Sequence, residues 1–171
     1  MKLGDGVEQA IHCVLLLSGL TANGVLSAAA LAEFHGVSPS YLLKHLQAMA
    51  GAGLLASVPG PKGGYKLARP ADKITLLDIV AAVEGPGPAF RCAEIRQRGP
   101  SPVAPHFFKL PCAVNAAMLK AERAYRAELR NVTVADLAGG AGTTLGKAIA
   151  ARTCVFFDLH ERNRSSSQHE E

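Results

Sequence analysis

The segment from Val37 to Pro70 constrains the fold more than any other part of the chain, because its start, stop and turn residues leave room only for short elements in one order. Ser38 followed by Pro39 opens a helix, and Gly51-Ala-Gly53 ends it. Residues 54–58 and 64–68 then read as two short strands, with Pro59 to Gly63 connecting them as a hairpin. Upstream, Ser27 is an N-cap for a short helix through Phe34, and His35-Gly36 is the turn into the next helix. Two helices joined by a tight turn and followed by a glycine-hinged hairpin predict a helix-turn-helix with a wing.

The same segment carries no acidic residue between Glu33 and Asp72, while Lys44, Lys62, Lys66 and Arg69 fall inside it. The acids stand elsewhere, at Asp5, Glu8, Asp78, Glu84, Glu94, Glu122, Glu128 and Glu170-Glu171. A net charge of +4 is mild for 171 residues, so it is the placement of charge that points one face at a polyanion. Duplex DNA fits this reading: a helix N-terminus enters the major groove and a thin wing approaches the backbone.

The rest of the chain is expected to be mainly helical. Val7, Ile11, Val14, Leu15 and Leu17 predict a first helix over 6–19, and Thr75 caps a helix through Glu84. Gly85-Pro-Gly-Pro88 is a linker, since these residues do not continue a helix. A long helix is predicted from Cys112 to Asn131, with Val114, Met118, Ala121, Tyr125 and Leu129 on one stripe and Lys120, Glu122, Arg123, Arg126 and Glu128 outside it. Its length suits pairing with a second copy, although packing across its own domain is the plainer alternative. The expected organisation is a DNA-binding domain over 1–84, a linker and sensor loop over 85–111, a dimerisation helix with further helices over 112–161, and a disordered polar tail over 162–171.

No charged region followed by a cleavable apolar core stands at the N-terminus, and Val14 to Leu17 is too short to span a bilayer. A cytoplasmic protein is expected, in which the four cysteines serve as free thiols, metal ligands or redox sensors rather than structural bridges. Cys13 and Cys154 lie in apolar runs and read as core residues, while His35, His106 and His160 have no partner at ligand spacing. Glu8 and His12 are four apart on the first helix, a spacing that suits two ligands on one atom and equally an exposed hydrogen-bonded pair. The chain lacks a phosphate loop, a nucleophile elbow and a dinucleotide fingerprint; Gly139-Gly-Ala-Gly has no strand before it. An enzyme is not expected.

The runs Ser38-Pro-Ser-Tyr-Leu-Leu-Lys-His-Leu, Ala52-Gly-Leu-Leu-Ala-Ser, Gly63-Gly-Tyr-Lys-Leu-Ala-Arg-Pro and Ile74-Thr-Leu-Leu-Asp-Ile-Val resemble the Rrf2 family of winged-helix regulators, over about residues 1–137. The resemblance implies a cytoplasmic homodimer bound to a double-stranded DNA operator, each chain contributing a winged helix-turn-helix, a small β-hairpin wing and a long C-terminal dimerisation helix. It implies DNA contacts from Ser38, Ser40, Tyr41, Lys44 and His45 on the recognition helix and from Lys62, Gly63, Gly64 and Lys66 on the wing. Relatives often carry arginine just before the first wing glycine; here Pro59 stands there, leaving Lys62 as the substitute.

Many members carry three closely spaced cysteines for an iron-sulfur cluster, as in sensors of the IscR and NsrR type. In this chain Cys92 and Cys112 are nineteen residues apart, with Arg98 and Ala104 where the others would lie. Glu8, His12, Cys92 and Cys112 are similar instead to the ligand pattern of the RsrR branch, which implies a redox-responsive 2Fe-2S cluster shared between protomers. A zinc site on the same four residues, or a reversible Cys92–Cys112 disulfide without any metal, remains the alternative.

Overall fold

The computed structural model describes residues 3–100, 103–139 and 144–163. In chain order the elements are α1 Asp5–Leu17, α2 Ala28–His35, α3 Pro39–Gly51, β1 Leu55–Val58, β2 Gly64–Leu67, α4 Leu76–Glu84, α5 Ala113–Asn131, α6 Val134–Ala138 and α7 Thr144–His160. The expected mainly helical, winged helix-turn-helix class is what the chain adopts. Residues 164–171 of the expected tail and part of the Gly139–Gly142 run lie outside the described residues.

Helical periodicity builds the core. On α1, Val7, Ala10, Val14 and Leu17 recur at three and four residues and are at most 2% exposed. Ala10, Val14 and Leu17 pack with Leu31 of α2, Leu42, Leu46 and Met49 of α3, and Ile79 of α4. Ser27 caps α2 by accepting from the Ala30 N–H at 3.1 Å. Gly36 ends it in the left-handed region, at φ 66°, and Val37 N–H donates back to the Ala32 carbonyl at 3.0 Å. That tight reversal sets α3 across α2 in the helix-turn-helix.

The wing is an antiparallel pair with Leu55 opposite Leu67 and Val58 opposite Gly64. A Cβ at Gly64 would collide with the Leu26 backbone, so glycine there lets β2 approach the segment before α2, where Tyr65 and Leu26 exchange backbone hydrogen bonds of 2.8 and 3.1 Å.

A second short pairing joins the winged helix-turn-helix to the C-terminal helices. Val134 N–H donates to the Ile74 carbonyl and Leu76 N–H to the Val132 carbonyl, each at 2.9 Å, with Thr75 opposite Thr133. Both threonines are N-caps of complete capping boxes, Thr75 with Asp78 and Thr133 with Asp136. Two helix starts are thus fastened back to back, with Ile74 and Val134 fully buried beside them. The Gly85–Pro88 linker then folds onto α5, where Arg126 donates to the Pro86 and Gly87 carbonyls and Glu122 accepts from Ala89 N–H.

Helix α7 returns to the helix-turn-helix. Phe157 is buried against Gly19, Phe156 packs edge-on to Phe34, and Arg152 donates to the Phe34 carbonyl while lying 4.3 Å over its ring. Cys154 on this helix is exposed, contrary to the core position its apolar neighbours suggest; Phe157 takes the inward place. Thr75→Ala or Thr133→Ala should each cost about 1 kcal/mol in chemical denaturation. Because the caps adjoin one pairing, a double-mutant cycle should be non-additive by more than about 0.5 kcal/mol.

Candidate nucleic-acid interface and cysteine centre

Helix α3 presents an outward face of Ser40, Tyr41, Leu43, Lys44 and Gln47, while Leu42, Leu46 and Met49 hold it to the core. At its start Ser38 and Ser40 join their hydroxyls at 3.1 Å, and neither side chain caps the helix. The first N–H groups of α3, next to Pro39, therefore stay open to an anion, with the helix dipole favouring negative charge. Tyr41 is 46% exposed and meets His45 edge-on at 4.7 Å.

His45 does not share that face. It is only 7% exposed and lies against α1 where Gly6 leaves room for its ring, a space that a Cβ at residue 6 would fill. Burial and the Lys44 charge hold its pKa below the ordinary histidine value. The expectation that His45 touches DNA is corrected on this ground. Gln47, one turn beyond Lys44 and exposed, takes the outward position; the helical period from Ser40 through Lys44 carries it, and glutamine can pair with adenine in the major groove.

On the wing, Lys62 is exposed and Lys66 half-buried, and among the described residues neither they nor Lys44 pairs with an acid. Arg69 differs, lying 3.7 Å from Asp78 at the start of α4, so it adds little to the free positive face. Gly63 is buried and its Cα side abuts the Val58 carbonyl. Gly63 and Gly64 thus act on the wing through close packing rather than as exposed contacts.

The loop between Cys92 and Cys112 closes on itself. Cys92 and Cys112, at its two ends, bring their sulfurs together with a Glu94 carboxylate oxygen, all within 4.8 Å of one another. Sequence spacing alone does not single out Glu94; it stands two residues after Cys92, in left-handed backbone at φ 48°, and its carboxylate accepts from the Arg96 guanidinium. Arg96 also reaches the Leu110 carbonyl and lies 5.1 Å over Phe108, tying both arms of the loop together. Cys112 is the N-cap of α5. The backbone N–H of Asn115, followed by that of Val114 and the Arg96 charge, draws its thiol below the ordinary range despite an opposing desolvation effect.

A thiolate pair at this separation, with a carboxylate beside it, is a donor set that fits iron or zinc. Glu8 and His12 lie on α1 along a shallow groove with Leu3, Val7 and Ile11. Within one chain they do not join the cysteine group among the described residues. His12 instead lies 5.9 Å from His35, whose pKa is lowered to about 4 by burial and then by the His12 and Arg152 charges.

Residues 3–140 match the Rrf2 family model, described as an iron-dependent transcriptional regulator. A protein of Lactococcus lactis, YffB, described as an HTH-type transcriptional regulator, is 34% identical over 138 residues, covering 81% of this chain and 87% of its own. Among solved structures, IscR of T. potens superposes with a TM-score of 0.61 at 25% identity, covering 82% of this chain and 88% of that one. The oxidised form of Staphylococcus aureus CymR gives a TM-score of 0.60 at 27% identity over 80% of this chain and 95% of that one.

Two outcomes follow from these placements. In metal-free, reduced protein at neutral pH, iodoacetamide followed by mass spectrometry should label Cys112 well before Cys13, whose buried thiol is pushed up to about 12. Against a duplex selected from a random library by the wild-type protein, Gln47→Ala should cost about 1–3 kcal/mol of base discrimination, whereas Lys44→Ala should weaken all duplexes alike.

Proposed function

Since the chain belongs to the Rrf2 family of DNA-binding transcriptional regulators, we propose that it acts as a homodimer whose operator binding is controlled by a redox-responsive 2Fe-2S cluster. The observation that carries this reading is the convergence of Cys92 and Cys112 at the start of α5, a loop-spanning contact for which the fold has no other evident use. In the proposed site these two thiolates come from one protomer, and Glu8 and His12 come from its partner. When bound, the cluster supplies a reversible one-electron change. IscR and CymR share this fold, and fold alone does not choose a cofactor, so the ligand set of this chain has to decide.

Dimer formation is supported by the uncovered stripe of α5. Val114 and Met118 are 62% and 43% exposed, and no residue of this helix is buried within its own chain. A second α5 laid antiparallel or crossed against it would cover that stripe and bring one chain's α1 toward the other's sensor loop.

The chain's own parts supply the route from sensor to DNA. Cys112 caps α5, a rigid helix of 19 residues, which is about 28 Å at ~1.5 Å per residue. The far end of that helix runs into the Thr133–Thr75 pairing, which starts α4 and so orients the winged helix. A small rotation of α5 is thereby delivered to the recognition helix as a change of tilt. Two recognition helices must sit about 34 Å apart to read adjacent major grooves, so modest tilting changes affinity.

A Cys92–Cys112 disulfide is the second reading, favoured by the same proximity and by the likeness to oxidised CymR. Zinc on the same ligands is the third. Iron and acid-labile sulfide in equal amounts in anaerobically purified protein support the cluster; zinc without sulfide supports the third reading, and two titratable thiols that disappear on oxidation without metal support the second.

Sharing between protomers has its own test. A heterodimer of a Glu8→Ala/His12→Ala chain with a Cys92→Ala/Cys112→Ala chain rebuilds one complete site only if the ligands come from both chains. It should bind about half the iron of the wild-type dimer, whereas each doubly substituted homodimer should bind almost none. A heterodimer as empty as the homodimers sinks the shared-ligand reading, and normal iron in the Glu8→Ala/His12→Ala homodimer shifts the remaining ligand to Glu94.

A further inference from the structure

Just beyond α7 the chain is bridged to the segment that precedes α2. The segment before α2 uses Leu26 to pair with Tyr65 of β2 and Val25, on its opposite side, to pair with Arg162, whose backbone exchanges two 3.0 Å hydrogen bonds with it. The polar composition around Arg162 predicts a frayed tail. The residue is instead fixed by this bridge, with Glu161 beside it accepting from the Thr21 N–H and hydroxyl at 2.8 and 2.6 Å.

From that bridge the Arg162 side chain reaches over to the wing turn. Its Nη1 donates to the Pro61 carbonyl and to the Gly63 carbonyl, each at 3.0 Å, so the guanidinium is docked on the carbonyls of the two residues on either side of Lys62. These bonds occupy one of its nitrogens, the residue remains exposed, and no carboxylate pairs with it among the described residues. An arginine keeps its charge at any physiological pH, and a planar fork with free N–H groups suits a phosphate oxygen. The wing turn itself, Pro59 to Gly63, contains one cation, Lys62.

We infer that Arg162 is a DNA-contacting residue of the wing, binding a backbone phosphate of the duplex while its Nη1 holds the turn in shape. The inference rests on the DNA-binding reading above. It makes the end of α7 part of the nucleic-acid interface, remote in sequence from the hairpin it completes. A residue that only clipped the C-terminus to the wing would need the hydrogen bonds and not the charge, and that difference is measurable.

The probe is a fluorescein-labelled 30-base-pair duplex of random sequence, because phosphates are bound without an operator. Anisotropy titrations of the full-length protein over a series of KCl concentrations give the slope of log K against log salt. Each phosphate that the protein no longer neutralises makes that slope shallower by about 0.9, so Arg162→Ala, which frees one phosphate per protomer, should make it shallower by about 1.8 and weaken binding at ~100 mM KCl on the order of tenfold. Arg162→Gln, which keeps a neutral donor for the turn carbonyls, should match Arg162→Ala, and Arg162→Lys should keep the wild-type slope. If Arg162→Ala destabilises the chain, as its melting temperature or dimer mass would reveal, the glutamine and lysine variants decide. A wild-type slope in Arg162→Gln, or an equally shallow slope in Arg162→Lys, overturns the inference. Failure of the wild-type protein to bind this duplex at low salt overturns the DNA reading itself.

Discussion

The N-terminal helices and the C-terminal helices are joined through a pairing of two residues, Thr75 against Thr133, closed by hydrogen bonds from Val134 to Ile74 and from Leu76 to Val132. Each threonine also caps a helix, so the pairing, the start of α4 and the start of α6 form one cooperative unit over a fully buried floor of Ile74 and Val134. The local chemistry is ordinary: a hydroxyl accepts an N–H and an aspartate accepts one in return. Placing two such caps back to back makes a rigid joint. In the proposed mechanism it is the part that would carry the attitude of α5 to the winged helix, since turning either side exposes capped N–H groups.

The proposed DNA-facing surface is a product of subtraction as much as of positive charge. Arg69 is engaged by Asp78 and His45 fills the gap above Gly6, whereas Lys44 and Lys62 remain unpaired among the described residues. The open N-terminus of α3, where two serines bond each other rather than the backbone, leaves peptide N–H groups for an anion. The wing's shape depends on glycine packing at its base and on carbonyls held from outside by the C-terminal segment.

Much of this is legible along the chain. The helix-turn-helix and hairpin follow from caps, glycines and periodicity acting over a few residues, and such signals survive into the fold because nothing distant competes with them. The stripe Val114, Met118, Tyr125 and Leu129 likewise announces a long amphipathic helix. Other features are hidden for a definite reason. His45 and Gln47 are both polar residues of α3, and only the neighbouring helix decides which is covered. Cys154 sits among apolar residues, yet Phe157 occupies the inward side of α7. Glu94 joins Cys92 and Cys112 only when the loop between them folds back, and the linear spacing of the two cysteines carries no trace of that.

By itself the sequence determined the class of fold, the order of its elements and the acid-free segment, and it marked Cys92 and Cys112 without Glu94. These are local properties, written in hydrogen-bonding caps, φ preferences and the sign of side-chain charge. Tertiary structure alone decided which cations stay free, which cysteines meet and which segment completes the wing. Those outcomes depend on contacts between residues far apart in the chain, and Arg162, separated from the wing by about a hundred residues, is the plainest instance: its neighbours in sequence describe a tail, and its neighbours in space describe a binding surface.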